Sequence, residues 1–209
     1  MELSRNFLLL PWLLSLVLIA AFGAWHWQVL PQGGMRHTDE FLTLDRSHSF
    51  LIRDDYLTVY SENQPTFKKP PLQYWVTAWL MQHTDDLEVA LRLPSYVCAI
   101  ALLVVTGILV GVLSPATPWA IPAAIALLAG AKTFAESAQS ALLDMGATLF
   151  VTVAMIACWL ALRQPRWWYV VALVSGLAAL QKAPIPPLVV AAMVGFLYVT
   201  RKRHDIDVG

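Results

Sequence analysis

Seven charged residues could share in one reaction, because all are predicted to lie on one side of the membrane, near the ends of apolar segments or in the polar stretch that follows the first segment. Three are carboxylates and four are cations: Asp39, Glu40 and Asp144, with Lys68, Lys69, Arg92 and Lys182. Charged groups at membrane depth are costly, so their convergence on one side marks a candidate site. A carboxylate can take a proton from an acceptor hydroxyl or amine, and cations can stabilise a departing phosphate. The pattern suits a transfer reaction with an anionic leaving group.

The run Phe67-Lys68-Lys69-Pro70-Pro71-Leu72-Gln73-Tyr74-Trp75 stands in the longest polar stretch of the chain. Neither proline donates a backbone hydrogen bond, and Pro71 pushes Pro70 toward extended geometry. The run therefore predicts that Lys69 lies at the mouth of a helix, where it can meet a lipid-borne phosphate. Tyr74 and Trp75 favour the membrane–water boundary, with the apolar body inward and the polar tip in water.

Several of these residues also have a purely structural interpretation. Asp39 and Glu40 can be the acidic first turn of a helix, where the dipole favours negative charge. Lys69 can be an interfacial anchor whose stem lies along apolar surface. Arg92 can pair with Glu88, one turn earlier on the same helix.

The later charges have structural alternatives as well. Asp144 can cap the start of a span, and Lys182 can be an interface anchor beside a proline. Lys132 and Glu136 are four residues apart, which suits a mutual ion pair with a structural role. It is the shared side of the membrane, rather than any single residue, that favours a functional site.

Composition identifies a membrane protein. Of 209 residues, 58% are hydrophobic and only 13% are charged, and the mean hydropathy is +0.59; a soluble domain carries about 25% charged residues. The net charge is zero, so charge favours neither nucleic acid nor an acidic partner. The fold class predicted is an all-α membrane protein, with about six transmembrane helices and a long first outer loop that contains interfacial helices.

The apolar segments predict where the spans lie. They are Phe7–Ala24 with an extension to Leu30, Leu93–Leu113, Trp119–Ala135, Leu142–Leu162, Trp167–Leu180 and Leu188–Thr200. Residues 1–209 are thus predicted to form a single transmembrane domain: a first span (1–30), an outer loop (31–90), five further spans (91–200) and a cytoplasmic tail (201–209). A cleaved signal peptide is the alternative for the first span. A retained anchor is favoured because a cleaved apolar core is usually about 7–15 residues.

Two segments of the outer loop are predicted to be interfacial helices, Glu40–Asp54 and Leu72–Gln82. The first has Phe41, Leu44 and Phe50 among its charges, and the second is rich in aromatic residues. Both are too short to span a membrane, and the second suits a position along the headgroup layer.

Basic residues in short loops predict the orientation. Arg5, Arg163, Arg166 and the cluster Arg201-Lys202-Arg203 lie on one side if there are six spans. The positive-inside rule makes that side cytoplasmic, so both termini are predicted to be cytoplasmic. The outer loop and the turns at 137–144 and 181–187 then share the outer face.

The two cysteines, Cys98 and Cys158, fall inside apolar segments near opposite ends of their spans. A disulfide between them is therefore not expected, and both are interpreted as small core residues. No Cys/His cluster has the spacing of a zinc site, so no metal ligands are assigned.

Five short motifs, in order along the chain, resemble the integral-membrane glycosyltransferases of the C superfamily. They are Thr38-Asp39-Glu40, the run Phe67–Trp75, Leu91-Arg92-Leu93-Pro94-Ser95, Leu142-Leu143-Asp144-Met145 and Leu180-Gln181-Lys182-Ala183-Pro184. The branch most similar in these motifs is the protein O-mannosyltransferase and aminoarabinose-transferase-like group, whose enzymes use dolichyl- or undecaprenyl-phosphate sugars. The resemblance runs from about residue 30 to residue 190.

The resemblance implies an inverting transfer from a polyprenyl-phosphate sugar at the outer membrane face. Asp39 would be the catalytic base, and Lys69 would contact the lipid phosphate. The other implied substrate-binding residues are Glu40, Tyr74, Arg92, Asp144 and Lys182. The processes that the resemblance implies are protein glycosylation and lipid A modification, in a bacterial-type inner membrane.

The resemblance leaves the cofactor and the acceptor open. Relatives in the aminoarabinose branch carry a metal-binding glutamate where this chain has Lys68; no cofactor is assigned, and a divalent metal stays an alternative. The acceptor is a lipid, a protein or a glycan. Family members are generally more than twice as long, so the alternative function is a non-catalytic subunit or split half that binds polyprenyl phosphate or a partner chain supplying further spans. A transporter is disfavoured because no paired, broken helices occur in matching halves.

Overall fold

The computed structural model describes residues 5–35 and 37–204, with side chains from residue 9 to residue 200 apart from residue 36. Residues 1–4 of the predicted first span and 205–209 of the predicted tail lie outside the described residues. The described chain forms two compact units. The first takes in the chain up to Thr43 and Trp79–Met145, and the second takes in Leu44–Ala78 and the chain from Gly146 onward.

The described residues are mainly helical. The helices are α1 (Arg5–Val29), α2 (Thr38–Arg53), α3 (Leu72–Met81), α4 (Leu87–Leu113), α5 (Ala120–Gly130), α6 (Lys132–Ala138), α7 (Asp144–Ala161), α8 (Trp167–Gln181) and α9 (Ile185–His204). Two short strands, β1 (Tyr60–Ser61) and β2 (Gln64–Pro65), pair antiparallel. The predicted all-α membrane fold is confirmed.

Three of the helices are long and apolar enough to cross a membrane, at Leu9–Val29, Leu87–Leu113 and Asp144–Ala161. Three shorter apolar helices accompany them: Ala120–Gly130, Trp167–Gln181 and Ile185–Thr200. These six correspond one for one to the six predicted segments, in the same order. The chain is that of an integral membrane protein.

The predicted third span, Trp119–Ala135, is wrong as a continuous helix. The helix α5 ends at Gly130, Ala131 is extended with ψ 120°, and α6 begins at Lys132. Glycine is a poor helix former, and the polar residues that follow it do not favour hydrocarbon. The second span begins earlier than predicted, at Leu87, because Asp86 caps it: its Oδ1 accepts the Val89 N–H at 3.0 Å.

In the first unit, α1 packs against α4 and α5, and α4 packs against α5 and α6. Small residues allow the close approach. A Cβ atom on Gly111 would lie 2.8 Å from the ring of Trp12, and Tyr96 donates its hydroxyl to the Gly23 carbonyl at 3.0 Å. Helices in membranes associate through such small-residue contacts and interhelical hydrogen bonds.

In the second unit, α8 packs against α9. An apolar cluster of this unit consists of six buried residues on α7, α8 and α9: Ala154, Ala157, Cys158, Val171, Val174 and Val190. Cys158 is buried and Cys98 is half-buried, and both are free thiols. Their interpretation as small packing residues agrees with this burial.

The hairpin β1–β2 was not predicted. Its two turn residues, Glu62 and Asn63, have φ of 51° and 65°, the left-handed geometry that two-residue hairpin loops require. The Glu62 N–H donates to Asp45 Oδ2 of α2 at 2.9 Å, which holds the hairpin to the helix. Asn63 was the one local signal, because asparagine tolerates the left-handed region.

The two predicted interfacial helices form at the predicted places, but α2 buries a different face. Phe41 is 56% exposed, whereas Phe50 is fully buried. The rest of the buried face is polar: Glu40, Thr43, Arg46 and Ser47. The apolar residues of the pattern did not identify the buried face, because buried polar side chains are tolerated when they are hydrogen-bonded. Glu40, Thr43 and Arg46 make the hydrogen bonds described below.

Candidate functional site

The first unit contains a buried ion pair between Arg92 and Glu40, with exposed fractions of 1% and 0%. The Arg92 Nε donates to Glu40 Oε1 at 3.0 Å, and Nη2 donates to Glu40 Oε2 at 3.2 Å. This two-pronged geometry is the strong form of a guanidinium–carboxylate pair.

Arg92 also binds the backbone that follows α1. Its Nη1 donates to the carbonyls of Leu30 at 2.6 Å and Gln32 at 3.0 Å, and Nη2 donates to the carbonyl of Gly34. All five N–H groups of the guanidinium are therefore used. We call Arg92, Glu40 and these three carbonyls the Arg92 clasp.

The clasp reaches a third segment, the loop before α7. Glu40 Oε1 accepts the Ala141 N–H at 3.2 Å, and Thr43 Oγ1 donates to the Ala141 carbonyl at 3.0 Å. Ser95 Oγ donates to the Leu142 carbonyl at 2.9 Å. The start of α2, the start of α4 and the loop at 139–143 are thus joined by buried hydrogen bonds.

These bonds fix the backbone beside two predicted carboxylates. Asp39 is exposed in the first turn of α2, directly before Glu40. Asp144 is exposed as the first residue of α7, three positions after Ala141. An exposed carboxylate on a rigid backbone is the arrangement that a general base needs.

The alternative pairing of Arg92 with Glu88 is wrong, because the guanidinium bonds to Glu40 instead. Glu40 and Arg92 as substrate-binding residues stay a prediction. The exposed pair of Lys132 and Glu136 forms as predicted, with Nζ and Oε1 3.7 Å apart, and such surface pairs stabilise little.

In the second unit, Lys69 lies at the entrance to α3, as predicted. The helix begins at Leu72, and the Trp75 N–H donates to the Pro71 carbonyl at 2.9 Å. Lys69 is half-buried, whereas Lys68 is exposed. The first turn of a helix presents amide groups without intrahelical acceptors, which favours an anion there.

Two of the motifs found in the sequence meet in this unit. Gln181 Nε2 donates to Gln73 Oε1 at 2.8 Å, and both side chains are 3% exposed. Gly146 makes room for this pair, since a Cβ atom there would lie 2.6 Å from Gln181 Nε2. The amide pair joins the segment that carries Lys69 to the segment that carries Lys182.

Lys182 ends α8. Its backbone is extended, with φ −159° and ψ 94°, and its N–H donates to the Ala178 carbonyl at 3.0 Å. The side chain is half-buried, and the Ala183–Pro184 peptide that follows is cis. Lys182 is thus a cation at the C-terminal end of a helix, where its charge is favourable.

Tyr74 does not have the wet polar tip that was predicted. It is fully buried, and its hydroxyl accepts a hydrogen bond from Arg46 Nη1 at 2.7 Å. Trp75, by contrast, is half-buried and donates Nε1 to the Tyr56 carbonyl at 2.8 Å. Sequence reasoning missed Arg46; the signal was a cation one helical turn from Thr43 on the face that begins at Glu40.

Within residues 5–35 and 37–204, no group of three His, Cys, Asp or Glu side chains could hold a metal ion. At the place where the resemblance implies a metal-binding glutamate, the chain has the exposed ammonium of Lys68. The residues present do not fit a metal there, so no step is assigned to one.

Comparison with protein families matches residues 68–207 to the family described as dolichyl-phosphate-mannose-protein mannosyltransferase. This stretch holds Lys69, Arg92, Asp144 and Lys182. No match was found among curated protein sequences. The resemblance drawn from the five motifs is confirmed.

The fold is similar to that of ArnT from Cupriavidus metallidurans. The structure of ArnT bound to undecaprenyl phosphate gives a TM-score of 0.63, and the apo structure gives 0.60. Each match is 15% identical and covers 97% of this chain and 43% of ArnT. The chain therefore spans less than half the length of that protein, and at this identity the likeness is one of fold. By the family match over most of its length, the chain is a membrane-embedded member of the dolichyl-phosphate-mannose-protein mannosyltransferase family.

Proposed function

We propose that the chain takes part in transferring a sugar from a polyprenyl-phosphate donor to an acceptor at the outer face of the membrane. The family match over residues 68–207 carries this proposal. The shared fold with ArnT, whose structure is described with undecaprenyl phosphate bound, supports a lipid phosphate as the leaving group. The acceptor is a lipid, a protein or a glycan.

Asp39 is proposed as the base. Its carboxylate takes the proton from an acceptor hydroxyl or amine as that atom attacks the anomeric carbon of the donor sugar. The bond from that carbon to the phosphate oxygen breaks with inversion, and the electron pair leaves with the polyprenyl phosphate. The Arg92 clasp supports this role, because it holds Glu40, the neighbour of Asp39, in one position.

Lys69 and Lys182 are proposed to bind the phosphate. Both ammonium-bearing side chains are half-buried, and the amide pair of Gln73 and Gln181 joins their segments. Preorganised cations stabilise charge that develops on a leaving phosphate. Asp144, exposed at the start of α7, and Tyr74 are retained as proposed substrate-binding residues.

The proposed orientation places both termini in the cytoplasm of a bacterial-type inner membrane. Arg163 and Arg166 lie in the short turn between α7 and α8, where the positive-inside rule applies. The loop with α2 and α3 would then face outward. Labelling single cysteines at Lys68 and at Gln164 with a membrane-impermeant reagent tests this: only the first should react in intact cells.

Transfer from a labelled polyprenyl-phosphate sugar in membranes tests the function. Asp39→Asn should reduce transfer by about 10²- to 10⁴-fold, the usual contribution of a general base. Asp45→Asn is the matched control, because Asp45 is an exposed carboxylate on the same helix with no proposed catalytic role. The asparagine oxygen can still accept the Glu62 N–H. Equal transfer by wild type and Asp39→Asn would show that the assigned base is wrong.

The same assay separates the alternative function. A chain that binds polyprenyl phosphate and shows no transfer, alone or with added acceptor, is a binding subunit or one half of a split enzyme. Binding should then weaken in Lys69→Ala and stay unchanged in Asp39→Asn.

A further inference from the structure

Arg46 is a buried cation that has no carboxylate partner among the side chains that the structure describes. The residue is 7% exposed, and its one side-chain hydrogen bond in the described residues is from Nη1 to the Tyr74 hydroxyl at 2.7 Å. Its guanidinium also lies 5.4 Å from the centre of the Tyr74 ring. Among residues 5–35 and 37–204, no acidic side chain forms an ion pair with Arg46. Its Nε is buried with no hydrogen-bond partner.

This arrangement contrasts with Arg92, whose five N–H groups are all bonded and whose charge Glu40 balances. Burial of an unbalanced charge is strongly unfavourable. A lysine could lose its proton to escape that cost, but an arginine cannot. The positive charge of Arg46 therefore persists, and an anion is the group that would balance it.

The polar atoms on the adjoining buried faces support an anion rather than a neutral packing role. Three side-chain atoms besides Arg46 Nε are buried without a partner in this part of the unit: Ser47 Oγ, Gln73 Nε2 and Thr77 Oγ1. Ser47 follows Arg46 on α2, and Gln73 and Thr77 share the face of α3 that carries Tyr74. All three atoms are hydrogen-bond donors. An acceptor oxygen near any of these donors would be favourable, because an unsatisfied buried donor is costly.

The position of Tyr74 places Arg46 near the entrance to α3. Helical side chains lean toward the N-terminus of their helix, so the Tyr74 hydroxyl, and with it Arg46, lies toward the Leu72 end. Lys69 precedes that end by three residues, and the first-turn amides face the same way. From this rule we infer that Arg46 and Lys69 lie at the same end of the ten-residue helix α3.

We propose that Arg46 is a phosphate-binding residue, which acts with Lys69 and the first turn of α3. A phosphate supplies a negative charge to balance Arg46 and an acceptor oxygen for its unpartnered Nε. Identification of this phosphate with that of the lipid donor rests on the proposed function. Neither the motifs nor the family match assigns Arg46 a role.

The test measures binding by the full chain in nanodiscs of neutral lipid. One arm contains polyprenyl phosphate, a second contains the uncharged polyprenol of the same length, and a third adds inorganic phosphate. The variants are Arg46→Met, which keeps the bulk and removes the charge, and Arg46→Lys. Arg53→Met is the matched control, because Arg53 is an exposed arginine of the same helix that stacks on Tyr60 at 4.1 Å.

We expect Arg46→Met to bind polyprenyl phosphate about 10- to 100-fold more weakly, the range for lost charge-assisted hydrogen bonds. Arg46→Lys should retain part of the affinity, and Arg53→Met all of it. The thermal midpoint of Arg46→Met without ligand should equal or exceed that of wild type, because an unbalanced buried charge is removed. A merely structural Arg46 would instead give a lower midpoint with unchanged binding, and that result overturns the proposal.

The three ligand conditions distinguish a failure of this inference from a failure of the proposed function. If wild type binds polyprenyl phosphate and Arg46→Met binds it equally while Lys69→Met does not, the role of Arg46 is wrong and the proposed function stands. If wild type binds only inorganic phosphate, and Arg46→Met does not, Arg46 is a phosphate site and the lipid donor is wrong. If wild type binds neither phosphate, the role of Arg46 is overturned.

A second variant tests the proposal if Arg46→Met does not fold. Tyr74→Phe removes the hydroxyl that accepts the Arg46 hydrogen bond, so it should weaken polyprenyl phosphate binding several-fold. Unchanged binding would overturn the proposal.

Discussion

The Arg92 clasp makes a strong prediction about stability. A lysine at position 92 keeps the positive charge but offers three N–H donors in place of five. At least two of the five hydrogen bonds to Glu40, Leu30, Gln32 and Gly34 would be lost. Glu40 and Leu30 are fully buried, whereas Gln32 and Gly34 are exposed and their carbonyls can bind water. Each buried acceptor left unsatisfied costs about 1–3 kcal/mol. We therefore expect Arg92→Lys to lower the free energy of unfolding by about 1–3 kcal/mol, because an ammonium cannot reproduce the two-pronged contact with Glu40 together with the bond to Leu30.

Removal of the positive charge at position 92 should lower the free energy of unfolding as well, for a different physical reason. Arg92→Met leaves the Glu40 carboxylate buried without a cation, and breaking one partner of a buried pair costs about 3–5 kcal/mol. The double variant Glu40→Gln with Arg92→Met contains no unbalanced charge. Its loss should be smaller than the sum of the two single losses, because the two residues interact directly.

Equilibrium unfolding in mixed micelles, with increasing sodium dodecyl sulfate, measures these differences through the fluorescence of the nine tryptophans. Lys132→Met is the control, since it breaks an ion pair whose side chains are 87% and 63% exposed and should change stability little. If Arg92→Lys unfolds at the same detergent fraction as wild type, or if the two single losses simply add, the clasp does not hold the segments together.

Two further predictions concern single contacts. Gly146→Ala places a Cβ atom 2.6 Å from Gln181 Nε2, so it should lower the free energy of unfolding by about 1–3 kcal/mol in the same assay. The control Gly176→Ala, with nothing within 4 Å of the added Cβ atom, should be neutral or stabilise by up to about 1 kcal/mol. Equal effects of the two substitutions would contradict the close contact. The pKa of Asp55 is lowered because its carboxylate accepts the backbone N–H of Leu57 and, less strongly, that of Thr58. The stabilising effect of the Asp55 carboxylate is therefore complete at neutral pH and is lost only as the pH falls through the lowered pKa. The amide resonance of Leu57 should accordingly shift with pH with a midpoint below about 3.9. A midpoint at or above that value would show that the hydrogen bond is absent.

The sequence predicted the helices well because long apolar segments and prolines determine them locally. The two helices of the outer loop begin within two residues of their predicted starts. The break at Ala131 and the early start of α4 at Leu87 were missed, since the first depends on a single backbone residue and the second on the Asp86 cap. The amino-acid sequence of an apolar run gives little indication of such a break or of the residue at which a helix starts.

The motifs proposed Asp39, Lys69, Asp144 and Lys182 as site residues, and these roles stay predictions. Their side chains are exposed or half-buried, and charges of this kind are easily recognised in an apolar sequence. The buried polar network did not stand out. Which residue Arg92 pairs with, and the burial of Arg46, depend on contacts between segments distant along the chain.

The claim that joins sequence, fold and family is that the Lys-Pro-Pro run handles a lipid phosphate. The most direct measurement compares the affinity for polyprenyl phosphate, relative to polyprenol, in wild type, Lys69→Met and Lys68→Met. Lys69 is half-buried at the entrance to α3, whereas Lys68 is exposed. We predict that wild type and Lys68→Met prefer the phosphate and that Lys69→Met loses about tenfold or more in affinity. No preference for the phosphate in wild type, or an equal loss in both lysine variants, would contradict the account.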